Sequence, residues 1–278
     1  MSVKQNKTII INRRNNVSTS TNKNEFRVAF PSPIEFKGAE IALSSAFLWY
    51  SWFNIRAQFN NNSFSYKWTD NTDHVVTLPD GLYEVSDIES YLHAEMLANG
   101  HVLYNDLGVA QYYINLDINQ VYYTITLTCT TIPTSLPTDW TNPNSITLNG
   151  NAPCLIIPST NIVDLMGFNA GMYPPTLDDA FYNINAQNVP NIPRSNVVNI
   201  AASNMVNNSS FSTLTDVIYS FSPSVSFSQQ IVIQKDTPMY FPIIDGRYSE
   251  LVIRLIDEEA RPIIVEDPNI VITVLLRI

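Results

Sequence analysis

The sequence predicts a mainly β protein, a sandwich or jelly roll with one α/β segment within it. Three observations carry this. About a dozen short segments alternate or run apolar and are rich in Tyr, Phe, Ile and Val, which suit pleated surfaces. One stretch alone combines a helical period with clear helix-end signals. Turn formers are abundant: the 278 residues include 17 Pro and 31 Asn, and these types favour turns and strand edges over helix interiors. Short strands with scattered turns at this length point to a sandwich or jelly roll.

Residues 1–24 read as an extended arm. Residues 25–30 (EFRVAF) alternate as a strand, which Pro31 and Pro33 should break. Residues 39–53 read as a long strand ending in Trp49, Tyr50, Trp52 and Phe53. Residues 63–68 and 74–78 are short strands, the second followed by a Pro79-Asp80-Gly81 turn. The helix comes next. Ser86 is the expected N-cap with Glu89 completing a capping box. Ile88, Leu92, Met96 and Leu97 recur at helical spacing, and Asn99-Gly100 stops the run. Residues 111–116 and 120–129 read as a tyrosine-rich hairpin around a turn at 117–119. Residues 131–153 read as loop, 154–158 as a strand, and 161–168 as a helical turn closed by Gly167. The proline-broken 174–194 is expected to be irregular. Six strands follow, at 197–203, 214–221, 229–234, 239–242, 250–257 and 269–278.

Composition excludes several classes. Charged residues are only 14% of the chain, against a usual value of about 25%. No run of about 18 apolar residues exists, so no membrane span is expected. The three-isoleucine run near the start is too short for the apolar region of a signal peptide, and none is expected. Two cysteines, Cys129 and Cys154, make neither a disulfide scaffold nor a thiolate zinc site. The net charge is −10, yet Lys4, Lys7, Arg13, Arg14 and Lys23 make the first 24 residues +5 and leave −15 for the rest. That asymmetry marks the arm as a segment with its own partner, either an acidic neighbour or packaged nucleic acid, or else as a solvated terminus.

Catalytic constellations are missing. There is no GxxxxGK[ST], GxGxxG or GxSxG. His74, His93 and His101 are not spaced as metal ligands and read as structural. The carboxylate clusters are Asp70 with Asp73, Asp178 with Asp179 (a weak calcium candidate), and Asp257, Glu258 and Glu259, which read as a solvated hairpin turn. Sequons at Asn6, Asn16, Asn61, Asn207 and Asn208 are expected by chance in so Asn-rich a chain. Arg254 and Arg277 stand out in apolar strands, where each needs a carboxylate or carbonyl partner. No enzyme activity, cofactor, metal or small-molecule substrate is expected.

Three stretches carry a family resemblance: ALSSAFLWYSWFNI at 42–55; TLPDGLYEVSDIESYLHAEMLANGHVL at 77–103, running on to LMGFNAGMYPP at 165–175; and FPIIDGRYSELVIRLIDEEARPIIVEDPNIVITVLLRI at 241–278. In order and spacing, over about two-thirds of the chain, they resemble the minor capsid (penton) proteins of virophages, polinton-like viruses and related double-stranded DNA viruses. The resemblance implies a single jelly-roll β-sandwich with an inserted smaller α+β domain. It places an N-terminal arm at 1–24, the jelly roll at 25–55 and 186–278, and the insertion at 56–185. It implies a homopentamer closing the icosahedral fivefold vertex of a virion among copies of a double-jelly-roll major capsid protein. The arm, with Arg13 and Arg14, would touch neighbouring capsid proteins. Tyr112, Tyr113, Tyr122 and Tyr123 of the insertion would be open to a host receptor or a fibre, unless alternate members pack under the helix. The main competing reading is a receptor- or carbohydrate-binding jelly roll, a fibre head or lectin, stacking sugars on Trp49, Trp52, Trp68 or Trp140. A glycan hydrolase using Asp178, Asp179 or Asp257 is the third.

Overall fold

The opening isoleucine run belongs to a sheet. In the computed structural model, which describes residues 5–12, 24–177, 180–192, 197–206 and 216–278, Asn6–Asn12 forms strand β1. It pairs antiparallel along its whole length with the strand at Val271–Arg277. This part of the chain is therefore not the free arm expected from its charge, because Ile11 is buried in the core. Next come β2 (Glu25–Phe36), β3 (Glu40–Trp49), β4 (Ser63–Lys67), β5 (Asp73–Thr77), helix α1 (Val85–Ala98), β6 (Leu103–Tyr104) and β7 (Ala110–Gln111). Then follow β8 (Ile114–Asn119), β9 (Thr124–Cys129), β10 (Cys154–Ile157), α2 (Ile162–Met166), β11 (Gly171–Tyr173) and β12 (Tyr182–Asn185). The last six strands are β13 (Val198–Ala202), β14 (Val217–Phe221), β15 (Gln230–Gln234), β16 (Phe241–Pro242), β17 (Gly246–Ile256) and β18 (Val271–Arg277). Of the described residues, 43% lie in strands and 9% are helical.

The chain divides into two compact units, one made of Met1–Trp52 with Ser195–Ile278 and the other of Phe53–Arg194. The sequence boundaries at 55/56 and 185/186 thus differ by three and nine residues from those seen.

In the first unit β1 pairs with β18, β2 with β17, β3 with β15 and β13 with β14. These are four nested antiparallel pairs, outermost strand with outermost. They lie in two four-stranded sheets ordered β1-β18-β3-β15 and β2-β17-β13-β14, with the short β16 beside β3. That wiring is a jelly roll. Alternation supplies its core: Phe26, Ile41, Leu43, Leu48, Ile200, Ile253, Leu255, Ile272 and Val274 are all buried together. Each such side chain contributes about 1.5–3 kcal/mol over its exposed state.

Pro31 and Pro33 do not end β2. Among the described residues the strand lies at a sheet edge with β17 as its one partner, and the register slips between Tyr248 and Glu250, opposite the prolines. A bulged edge demands no ladder donor there, so proline fits.

The second unit holds sheets ordered β11-β10-β4-β5 and β12-β9-β8, with α1 packed on β8. β12 lies inside the stretch expected to be irregular; its partner β9 supplies the ladder that the local sequence does not announce. Helix α1 starts two residues earlier than its Ser86 signal suggested. Glu84 is the N-cap and Asp87 completes the capping box. Val85, Ile88, Leu92 and Met96 form the buried stripe, whereas Leu97 is 44% exposed. At the other end Gly100 N–H bonds to Leu97 O and His101 N–H to Met96 O, a Schellman stop. Gly100 has φ +74°, and a Cβ there would meet Asn144 Cγ at 2.9 Å, so glycine is required twice over.

Candidate interaction site

The β8–β9 hairpin is built around Asn119. Its Oδ1 accepts hydrogen bonds from Val121 N (3.1 Å) and Tyr122 N (3.2 Å), a side-chain-mediated turn. The turn therefore falls at 120–123, three residues later than expected. Tyr122 and Tyr123 sit on the tip rather than in the strand, 65% and 74% exposed, with Tyr123 at φ 53°. Val121 and Ile118 beside them are also exposed. The earlier tyrosine pair behaves differently. Tyr112 is half-buried and stacks flat on His93, centroids 3.9 Å apart. Tyr113 is buried, not available to a receptor, and burial pushes its phenol up to about 12. The bend between β7 and β8 splits the first pair; the turn exposes both members of the second.

The free edge of β8 is covered by α1. Glu89 Oε1 accepts from Leu116 N at 2.9 Å, and His93 Nε2 donates to Ile114 O at 2.9 Å. Residues one helical turn apart thus satisfy one strand edge, which accounts for Glu89 better than the capping box expected of it.

Other expected sites fall as follows. Arg13, Arg14, Asp178 and Asp179 lie outside the described residues. Arg254 Nε donates to Ser203 Oγ at 2.5 Å and faces Asp216 at 3.9 Å. Arg277 bonds to Glu40 at 3.4 Å and lies over the Tyr240 ring at 3.6 Å. Both strand arginines thus find partners within the fold. Asp257 is not in a solvated turn: it is 1% exposed and accepts from Glu259 N, Arg261 N and Arg261 Nε at 2.6–2.9 Å. Of the four tryptophans, Trp52 and Trp68 are buried and cannot stack on a sugar, Trp140 is half-buried, and Trp49 is 41% exposed. A buried polar centre went unnoticed in the sequence. Asn54 donates through Nδ2 to Tyr83 O and Ile192 O (both 2.8 Å) and accepts from Tyr83 N (2.9 Å), while its own carbonyl takes Asn61 Nδ2 at 2.8 Å.

The histidines form part of an aromatic cluster. His101 lies flat on Trp68, 4.2 Å between centroids, with the edge of His74 at 4.6 Å. Its Nδ1 takes the Tyr66 hydroxyl at 2.9 Å, while Asn99 Nδ2 donates to that hydroxyl at 3.3 Å. His74 Nε2 is 2.9 Å from Thr72 Oγ1, which bonds to Asp70. Burial first, then His74, pull the His101 imidazole from 6.5 down to about 4, against the opposing charge of Asp70. A depressed histidine stabilises the fold in its neutral form. The stability is complete above about 6.5 and is lost as pH falls toward 4, where the unfolded chain binds the proton first. Chemical denaturation should therefore show a loss of about 1–3 kcal/mol over that window. His101→Gln should flatten it; an unchanged slope in the variant would assign it elsewhere.

Among the described residues no group of three His, Cys, Asp or Glu is placed to hold a metal ion. No described helix is long and apolar enough to cross a membrane. No protein-family model and no curated protein sequence matches the chain. Among solved structures the chain is similar to the crystal structure of selenomethionine-labelled mavirus penton protein, with a TM-score of 0.45 and 11% identity over 99% of each chain.

Proposed function

We propose that this chain is a structural capsid protein, a penton subunit, five copies of which close the icosahedral fivefold vertex against the major capsid protein. The observation that carries the reading is a jelly roll interrupted between its third and fourth strands by a separate compact unit. Jelly rolls serve viral shells, lectins and cupins alike, and fold does not fix function. The three resembling sequence stretches, which fall in both units, favour the shell. In this reading the role is assembly without catalysis or cofactor, and the place of work is the virion. The hairpin tip with Tyr122 and Tyr123 is the outward contact, to a host receptor. Arg13 and Arg14 lie against neighbouring capsid proteins.

The test is the native mass of the purified chain with negative-stain images, alone and with the major capsid protein. A mass of five subunits in five-lobed rings is expected. A stable trimer, or a chain left out of assembled particles, would sink the proposal.

A further inference from the structure

Among the described residues, the jelly-roll sheet β1-β18-β3-β15 has two edges whose outward backbone groups meet no strand. In β15, Lys235 N–H bonds to Ser44 O, and Gln229 O accepts from Tyr50 N. Residues 231 and 233 therefore complete the ladder to β3, and the N–H and C=O groups of Gln230, Val232 and Gln234 point away from it. In β1, Gln5 and Ile278 exchange both backbone bonds. By the same alternation residues 7, 9 and 11 face β18, and Asn6, Thr8 and Ile10 face outward.

Two other edges among the described residues are blunted: β2 by two prolines and a register break, β8 by Glu89 and His93. β15 reads Gln-Ile-Val-Ile-Gln, with no charge and no proline, and Val232 is 53% exposed. β1 carries one charge, Lys7.

We propose that β15 of one copy pairs with β1 of a second copy, so that the sheet runs on from subunit to subunit. Three features fit these two edges to each other. The sheet has four antiparallel strands, so β1 and β15 run in opposite directions, and a second copy in the same orientation continues the antiparallel alternation. The outward groups match in number and spacing, with Gln230 opposite Ile10, Val232 opposite Thr8 and Gln234 opposite Asn6. The faces match too: Ile231 and Ile233 point into the core, as do Ile9 and Ile11, so this register keeps both apolar faces on one side. Like-charged chains of net charge −10 meet here with almost no formal charge between them. The contact joins two different surfaces, the type that builds rings, and in that sense the inference rests on the ring proposed above.

The test is amide hydrogen exchange on the full chain, dilute and assembled, with native mass measured alongside. In the assembled form the amides of Gln230, Val232, Gln234, Asn6, Thr8 and Ile10 should exchange at least tenfold more slowly than in the monomer. Val232→Pro removes an outward N–H and no ladder bond, so it should keep the circular dichroism melt and lose assembly. Rings whose six amides exchange as freely as in the monomer would overturn the edge pairing and leave the ring standing. So would a folded Val232→Pro chain that assembles normally. A chain monomeric at every concentration, with or without the major capsid protein, would overturn both. If Val232→Pro does not fold, exchange in the unaltered chain decides the matter.

Discussion

Asn54→Ala is expected to destabilise the unit at 53–194 by about 3–5 kcal/mol, the largest effect of any single polar substitution considered. The side chain is 1% exposed and makes three hydrogen bonds. Removing it leaves the Tyr83 N–H and carbonyl buried without that partner, each at about 1–3 kcal/mol, and takes a donor from the half-buried Ile192 carbonyl. Asn54→Asp tells the roles apart. It keeps an acceptor for Tyr83 N but loses both donors and buries a charge, so it should be no milder than alanine. Chemical denaturation followed by tyrosine and tryptophan fluorescence measures the loss. A melt within 1 kcal/mol of the unaltered chain would show that water replaces the network at no cost.

The second large effect is at Asp257. Asp257→Ala should cost the jelly-roll unit about 3 kcal/mol, since it strips two backbone N–H groups and the Arg261 guanidinium of their acceptor. Asp257→Asn should cost less, about 1–2 kcal/mol, because Oδ1 alone takes both backbone donors and only the Arg261 ion pair on Oδ2 is lost. Equal losses for the two variants would mean that the ion pair, not the turn, holds this corner.

The sequence made the helix and most of the jelly-roll strands legible because their periods are strong. Ile88, Leu92 and Met96 recur at helical spacing, residues 25–30 (EFRVAF) alternate, and β18 is an almost unbroken apolar run that suits a central strand. Longer-range features stayed hidden. Asn54 and Asn61 are two of 31 asparagines, and nothing local marks them as buried. Glu89 read as a cap because the strand edge it serves lies 27 residues on. Asp257 sits in a run of three acids, and only the turn back to Arg261 makes it a core residue. β1 looked like an arm because the strand it pairs with, β18, lies about 260 residues on, at the far end of the jelly roll. In the candidate site, one member of each tyrosine pair was expected to be buried; Tyr113 is, through the bend ahead of β8, but neither Tyr122 nor Tyr123 is. The Asn119 turn that lifts out Tyr122 and Tyr123 required a register that sequence spacing does not specify.

The nested pairing also sets a schedule for synthesis. β3 waits for β15 across about 180 residues, which takes roughly 10–40 s at a ribosome speed of about 5–20 residues per second. The unit at 53–194 is complete within that interval and is free to fold on the ribosome while β1–β3 stay unmatched. β1 finds its partner only when β18 has emerged. A chain released early keeps its folded insertion but lacks the central strand of one sheet, so the jelly roll acts as a check on its own completion.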